Sequence, residues 1–262
     1  MLPYAIKYGD DMMATVSPRT LEIARDWKIT DYYDKAESDA WTDPFWKPGT
    51  PFRRLFERLD TTSTVELACG HGRHSARLLS TQRDQTTLRS LVLMDVVEEN
   101  VRHCKERFSD VPEVSAHTNS GYDFYPVQDG SVSAIFCFDA MVHFEYDAVF
   151  SYLQDACRVL RPAGRALFHH SNLDKYPGSD YRNNPHWRNF MSKNLFAHAA
   201  SRSGLRVLEQ VTMDWDEARN LDCLTLVEKA SDGSPGMEKP KARSESSPLT
   251  RLADRVKFIF LK

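Results

Sequence analysis

The chain has 262 residues, 41% of them hydrophobic and 27% charged, with a net charge of −3. That size suits one sizeable α/β domain with additions, and the slight acidity leaves no electrostatic footprint for nucleic acid. There is no apolar run of the roughly 18 residues a membrane span needs, no basic and apolar start of a signal peptide, and no Cys-x-x-Cys among the five scattered cysteines. A reducing cytoplasm is the expected home, with neither zinc nor disulfides.

Aromatic and acidic residues crowd the first fifty positions, Trp27, Trp41 and Trp46 among them. Helices are predicted at 18–27 and 31–41, and residues 1–50 read as a helical cap. Phe52, Leu55, Phe56 and Leu59 recur at helical spacing behind Pro51, which predicts a helix over 51–60 and opens a main domain over 51–230. Short apolar strands are predicted at 64–68, 91–94, 114–117, 133–138 and 165–169. Helices at 74–80, 98–108 and 146–160 separate most of them. After a helix at 192–203, strands at 206–213 and 223–227 follow with no helix between. Buried strands alternating with helices imply a doubly wound, mainly parallel sheet, and the last two strands can only be antiparallel neighbours. Residues 231–248, rich in Ser, Pro, Lys and Glu, read as a disordered linker. Leu249, Leu252, Val256 and Ile259 then mark one face of a basic amphipathic helix over 249–262. That helix is expected to dock on the domain or a second subunit, or to touch an anionic inner membrane surface.

The most informative segment runs from Glu66 to Gly72. In an open parallel sheet, ligands bind beyond the carboxyl ends of the strands. Gly70 and Gly72 permit a tight turn and a close ligand, and the helix that follows presents free N–H groups. Glu66 stands before the turn, and Asp95 ends the next strand, where an acid can accept from ribose hydroxyls. A dinucleotide would prefer a third glycine where this chain has Ser75. A carboxylate at Glu66 also disfavours a phosphate and suits a cationic ligand. The dinucleotide-dependent oxidoreductase is therefore the weaker reading, and a non-catalytic binding protein a third.

Glu-x-x-x-Gly-x-Gly at 66–72 resembles the first motif of class I S-adenosylmethionine-dependent methyltransferases. Asp95 is similar to their ribose-binding acid. Asp129 to Cys137 resembles their run into the fourth strand, with Ser133 where many members have aspartate. Arg158-Val159-Leu160-Arg161-Pro162-Ala163-Gly164 is similar to their turn before the fifth strand, with Ala163 for a glycine. The resemblance spans 51–228 and implies a Rossmann-like seven-stranded sheet with an antiparallel last strand. It implies S-adenosyl-L-methionine as cofactor and S-adenosyl-L-homocysteine as product. Carried over residue by residue, Glu66, Ala68, Cys69, Gly70, His71 and Gly72 surround the methionine part. Asp95 takes the ribose and Val96 the adenine. Asn119 or Gly121 stands where the family often has an aspartate, and Phe138 and Asp139 face the cofactor.

Methyl transfer to an alcohol is an in-line displacement that needs an aligned oxygen and a proton acceptor. His143, after the fourth strand, and His170, at the end of the fifth, are the candidate bases, since an unperturbed histidine titrates near about 6.5. Asp139, His143 and a fifth-strand histidine have ligand chemistry for a divalent cation, but spacing alone assigns none, and no metal is expected. Trp41, His169, Asn172, Tyr181, Arg182 and Trp187 are the candidate acceptor contacts, because aromatic faces and amides suit sugar rings. Fragments after the fourth and fifth strands look similar to bacterial glycan and sugar methyltransferases. The leading expectation is O-methylation of a saccharide or other small polar acceptor, with small-molecule N-methylation as the alternative.

Overall fold

The structure, a computed structural model, describes residues 17–82 and 87–230. The start of the expected cap, the expected linker at 231–248 and the expected helix at 249–262 lie outside the described residues. None of the described helices is long and apolar enough to cross a membrane.

The chain enters through three short helices, α1 (Pro18–Lys28), α2 (Tyr32–Ala36) and α3 (Asp39–Trp46). Ser17 caps α1 by accepting from the Thr20 N–H at 3.0 Å, and Pro18 follows where a helix needs no N–H. The single helix expected over 31–41 is broken at Ser38, which sits extended at the start of α3. The break turns Tyr32 and Tyr33 toward the sheet's ligand edge, while Trp46 enters the core. Thr50 caps α4 (Pro51–Phe56), whose Phe52, Leu55 and Phe56 are buried.

The seven strands are β1 (Ser63–Leu67), β2 (Ser90–Asp95), β3 (Val114–Thr118), β4 (Val132–Cys137), β5 (Leu160–Ser171), β6 (Leu205–Trp215) and β7 (Ala218–Lys229). Their order in the sheet is β3-β2-β1-β4-β5-β7-β6. β1 to β5 run parallel, and β7 inserts antiparallel between β5 and β6. The chain winds outward from β1 in one direction and from β4 in the other, so the crevice between their carboxyl ends is the expected ligand position.

Two apolar layers cover the sheet. Ile135, Cys137 and Phe168 pack with Tyr152 of α7 (Tyr146–Val159) and Phe196 of α8 (Lys193–Arg202). Phe136, Leu167 and Leu224 pack on the other face with α4, with Leu78 of α5 (Arg73–Gln82) and with Cys104 of α6 (Glu98–Arg107). This two-residue alternation decides where the fifth-strand histidines point. His170 follows Phe168 in period and stacks on Phe196 at 3.8 Å. His169 follows Leu167 and stacks between Phe138 and Trp215.

Candidate active site

A cavity of about 1050 Å³, partly open to solvent, lies at the carboxyl ends of β1, β2 and β4. Its floor is Ala68, Cys69, Gly70 and His71, its sides are Asp95, Val96, Asn119, Gly121, Phe138 and Asp139, and α1 and α2 roof it with Trp27, Tyr32 and Tyr33. The floor loop is held in left-handed backbone at Ala68 (φ 55°) and Gly70 (φ 53°). An alanine there is strained by about 1–3 kcal/mol, a cost found where a loop is over-determined for function. A Cβ on Gly70 would also stand 2.9 Å from the Tyr33 ring, so the glycine admits the roof.

Two expected cofactor residues have other roles. Glu66 does not line the cavity: it points into the packed α5 side, only 2% exposed, and the Ser75 hydroxyl donates to its Oε2. Burial pushes its carboxyl up to about 7. Ser75, where a dinucleotide site would have glycine, therefore seals a buried acid. Gly72 also stays off the cavity. A Cβ there would lie 2.6 Å from the Phe108 ring, so this glycine serves packing.

The remaining polar groups fit the expected cofactor. Asp95 is buried, and its two oxygens accept from the Gly70 and Val97 N–H groups, each at 2.9 Å. It has no cationic partner among the described residues, and burial raises its pKa. A carboxylate has more acceptor sites than these two N–H groups fill, so it can also take hydroxyl donors such as those of a ribose. Asn119 donates through Nδ2 to Asp123 O (3.2 Å) and Tyr152 Oη (2.9 Å), while its buried Oδ1 has no partner. An orphaned acceptor on the cavity wall suits an adenine amine. One cavity thus brings together the buried carboxylate of Asp95, the unpartnered Oδ1 of Asn119 and the glycine loop, the groups expected to meet the cofactor.

Asp139 closes the far side. It is left-handed (φ 57°) and accepts from the Tyr32 hydroxyl and from Arg73 Nη2 at 2.8 Å. Arg73 also reaches Tyr32 Oη (2.8 Å) and Ala36 O (3.3 Å), and so ties α2 to the loop after β4. His74, also on the wall, accepts from Trp46 Nε1 at 3.0 Å, and burial and then Arg73 push its pKa well down. Sequence reasoning missed Arg73, Tyr32 and Tyr33. Their positions in helices carried no motif: Tyr32 and Tyr33 stand on α2 and Arg73 opens α5, and only packing brings the two helices together.

A second cavity, of about 1480 Å³ and open to solvent, adjoins the first. The two share Trp27, Tyr32, Asp139 and His143 as wall residues. The second adds Trp41, Phe45, Trp187 and Trp215, with Arg188, Asp214 and Asp216. His143 stands at the junction. Its Nδ1 lies 2.9 Å from Trp187 O, and since a carbonyl only accepts, Nδ1 carries the proton and Nε2 the lone pair. Burial, then Arg188, lowers its pKa to about 3, so the ring is neutral at physiological pH.

Of the expected acceptor contacts, Trp41 and Trp187 line this second cavity. The others do not. His170 is fully buried on the opposite face, with Nδ1 bonded to Ser171 O and Nε2 to Thr225 Oγ1, each at 2.8 Å, and is corrected from base to core residue. His169 is sealed behind Asp139, whose N–H donates to its Nδ1 at 3.0 Å. Asn172 is a loop tie, donating to Asn220 O and accepting from the Lys193 N–H. The Tyr181 hydroxyl donates to Asp26, and Arg182 pairs with Asp26 and Glu22, so both fasten α1 rather than an acceptor. Among the described residues, no group of three or more His, Cys, Asp or Glu is arranged to hold a metal ion.

The family model described as "Methyltransferase domain" matches residues 65–164. That match and the fold support an S-adenosylmethionine-dependent methyltransferase. No curated protein matches the chain. Among solved structures, the chain is similar to geranyl diphosphate C-methyltransferase from Streptomyces coelicolor A3(2), at 13% identity and TM-score 0.62, covering 83% of this chain and 100% of that one. It is similar to a putative sarcosine dimethylglycine methyltransferase from Galdieria sulphuraria, at 12% identity and TM-score 0.59, covering 80% and 98%. It is also similar to a chain of the complex between the Haloferax volcanii Trm112 methyltransferase activator and a putative methyltransferase, at 18% identity and TM-score 0.55, covering 76% and 96%. These identities establish a shared fold and nothing finer.

Proposed function

We propose that this chain methylates a hydroxyl of a neutral, polar small molecule, a saccharide unit fitting best, with His143 accepting the proton. The observation that carries this reading is the meeting of the two cavities at Asp139 and His143. When bound in the first cavity, S-adenosylmethionine supplies an electrophilic methyl on a sulfonium. The aromatic walls of the second cavity offer flat faces to a ring acceptor. They can hold its hydroxyl beside His143 Nε2, the free lone pair of the ring. A hydroxyl proton becomes strongly acidic as the new C–O bond forms. A neutral imidazole of low basicity is therefore adequate to accept it late in the transfer.

The wall charges support a neutral acceptor. Asp139 is paired with Arg73, and Asp216 lies 3.6 Å from His186. Arg188 is 2% exposed, its charge is paired with Asp222 and three of its N–H groups are used on Asp222 and His186 O, so it offers little to an acceptor phosphate or carboxylate. A second reading, methylation of an amine, draws on Asp214, which accepts from the Asn220 N–H and has no ion-pair partner among the described residues. An acid beside aromatic faces suits a cation.

The test is methyl-tritium transfer from labelled cofactor to three acceptor panels: neutral glycosides, amines and carboxylates. Label in the glycosides is the expected result. Label confined to amines would select the second reading. S-adenosylhomocysteine binding with no label in any panel would overturn both.

A further inference from the structure

Resting on the proposed reading of His143, we infer that Asp222 is a positioning residue that holds both sides of the acceptor site, the turn of Asp139 and the loop that orients His143. Asp222 lies in β7 opposite Ser171 and is fully buried. Its carboxylate accepts from Arg188 Nε at 2.9 Å and from Arg188 Nη2 at 2.6 Å, a bidentate pair. His169 Nε2 lies 3.1 Å from Asp222 Oδ2, within ion-pair distance but off the line of a hydrogen bond. Burial would raise the Asp222 carboxyl, but His169 and Arg188 outweigh it and hold it below the usual carboxylate range.

Two arms leave this carboxylate. Through His169, the first arm reaches the Asp139 N–H, at 3.0 Å from Nδ1. Through Arg188, the second reaches His186 O at 3.0 Å, with the guanidinium stacked 4.6 Å over Trp215. Trp187, between these two residues, gives its carbonyl to His143. Asn189 reinforces the same loop, donating to His143 O at 2.6 Å and to Val142 O at 3.0 Å.

The backbone explains why such a clamp is needed. Asp139, His186 and Trp187 are left-handed at φ 57°, 49° and 56°, and none is glycine. Each such conformation is strained and persists only where neighbours over-determine it. All three lie one or two contacts from Asp222. A buried Asp–Arg pair is weak evidence for stability but holds a unique geometry, which is what an aimed imidazole requires.

Two variants test this. Asp222→Asn keeps an oxygen for Arg188 but removes the charge. His169→Leu cuts the arm to Asp139 and leaves the Asp222–Arg188 pair intact, so it is the variant that folds if Asp222→Asn does not. Two readouts are used: kcat and acceptor KM with the methylated acceptor, and nitrogen NMR of the His143 ring in the S-adenosylhomocysteine-bound protein.

In Asp222→Asn we expect acceptor KM to rise and kcat to fall at least tenfold, with S-adenosylhomocysteine affinity within about threefold. The His143 proton is expected to leave Nδ1 for a mixture of tautomers. In His169→Leu, kcat falls with little change in KM, because the loop at 186–188 stays clamped. Wild-type kcat and KM in His169→Leu, or a folded Asp222→Asn that keeps the Nδ1–H form, overturns the inference. If the wild type methylates no acceptor, the proposed function fails, and the tautomer signal of Asp222→Asn still decides this point. Where Asp222→Asn does not fold, kinetics of His169→Leu decide it.

Discussion

Glu66→Gln is the sharpest test of how the cofactor loop is built. The substitution keeps the side-chain shape and an oxygen for the Ser75 hydroxyl, removes the ionisation, and puts an NH2 in place of the other oxygen. Burial raises the Glu66 carboxyl from an ordinary 4.5 to about 7. A raised folded-state pKa means that the stabilising form is the protonated one. Its contribution is complete below the unfolded value of 4.5 and is lost as pH rises through about 7. At about 1.4 kcal/mol per unit, ionising Glu66 in place costs the wild type about 3 kcal/mol at pH 8.5 and less than about 1 kcal/mol at pH 5. The stability of Glu66→Gln relative to the wild type should therefore rise by about 2.5 kcal/mol from pH 5 to pH 8.5. Urea unfolding followed by tryptophan fluorescence at four pH values between 5 and 8.5 measures the gap. A gap that does not change with pH would mean that Glu66 ionises normally in the fold, and the sealed-acid reading of the loop would be wrong. Because Glu66 lies off the cavity, S-adenosylhomocysteine affinity should stay within about threefold.

His143→Ala should lower kcat by about 10²–10⁴-fold, the usual worth of a positioned base, with cofactor affinity nearly unchanged in calorimetry; unchanged turnover would remove His143 from the chemistry. Asp95→Ala should weaken S-adenosylhomocysteine at least tenfold while near-ultraviolet circular dichroism stays native, and an unaltered affinity would cancel the ribose assignment. Trp187→Ala should raise acceptor KM more than cofactor KM in steady-state kinetics, since its ring walls only the second cavity. His170 is buried neutral with a pKa lowered to about 3, so its contribution is present above the unfolded value near 6.5 and is lost as pH falls toward 3. From pH 7.5 to pH 5 it should cost about 2 kcal/mol, and the stability difference between wild type and His170→Gln should change by that amount over this window.

The order of elements was legible because hydrophobic period and turn residues are local. Short apolar strands separated by helices, and the absence of a helix between β6 and β7, together imply the doubly wound sheet and its antiparallel insertion. The glycine loop and Asp95 were legible for the same reason: a ligand edge follows from strand order, and the turn chemistry is written in consecutive residues. The errors came where facing decides the role. Glu66 precedes the loop, but it points across the sheet into α5, where Ser75 takes it. His169 and His170 differ by one step along a strand, and only the packed layers say that His170 meets Phe196 while His169 backs Asp139. Tyr181 and Arg182 look like sugar contacts in sequence, yet Asp26 and Glu22 of α1 claim them.

What the sequence alone determined is therefore the class of fold and the sheet edge at which the cavity opens, because both rest on short-range pattern. What tertiary structure decided is the second cavity, the proposed acceptor side. Trp27 comes from α1, Asp139 and His143 from the connection after β4, Trp187 from the loop before α8, and Trp215 from β6. Asp222, deep in an apolar strand, joins that wall only through Arg188 and His169. No local pattern encodes such a meeting, because contacts between residues distant in the chain are fixed by packing and burial after the sheet has formed.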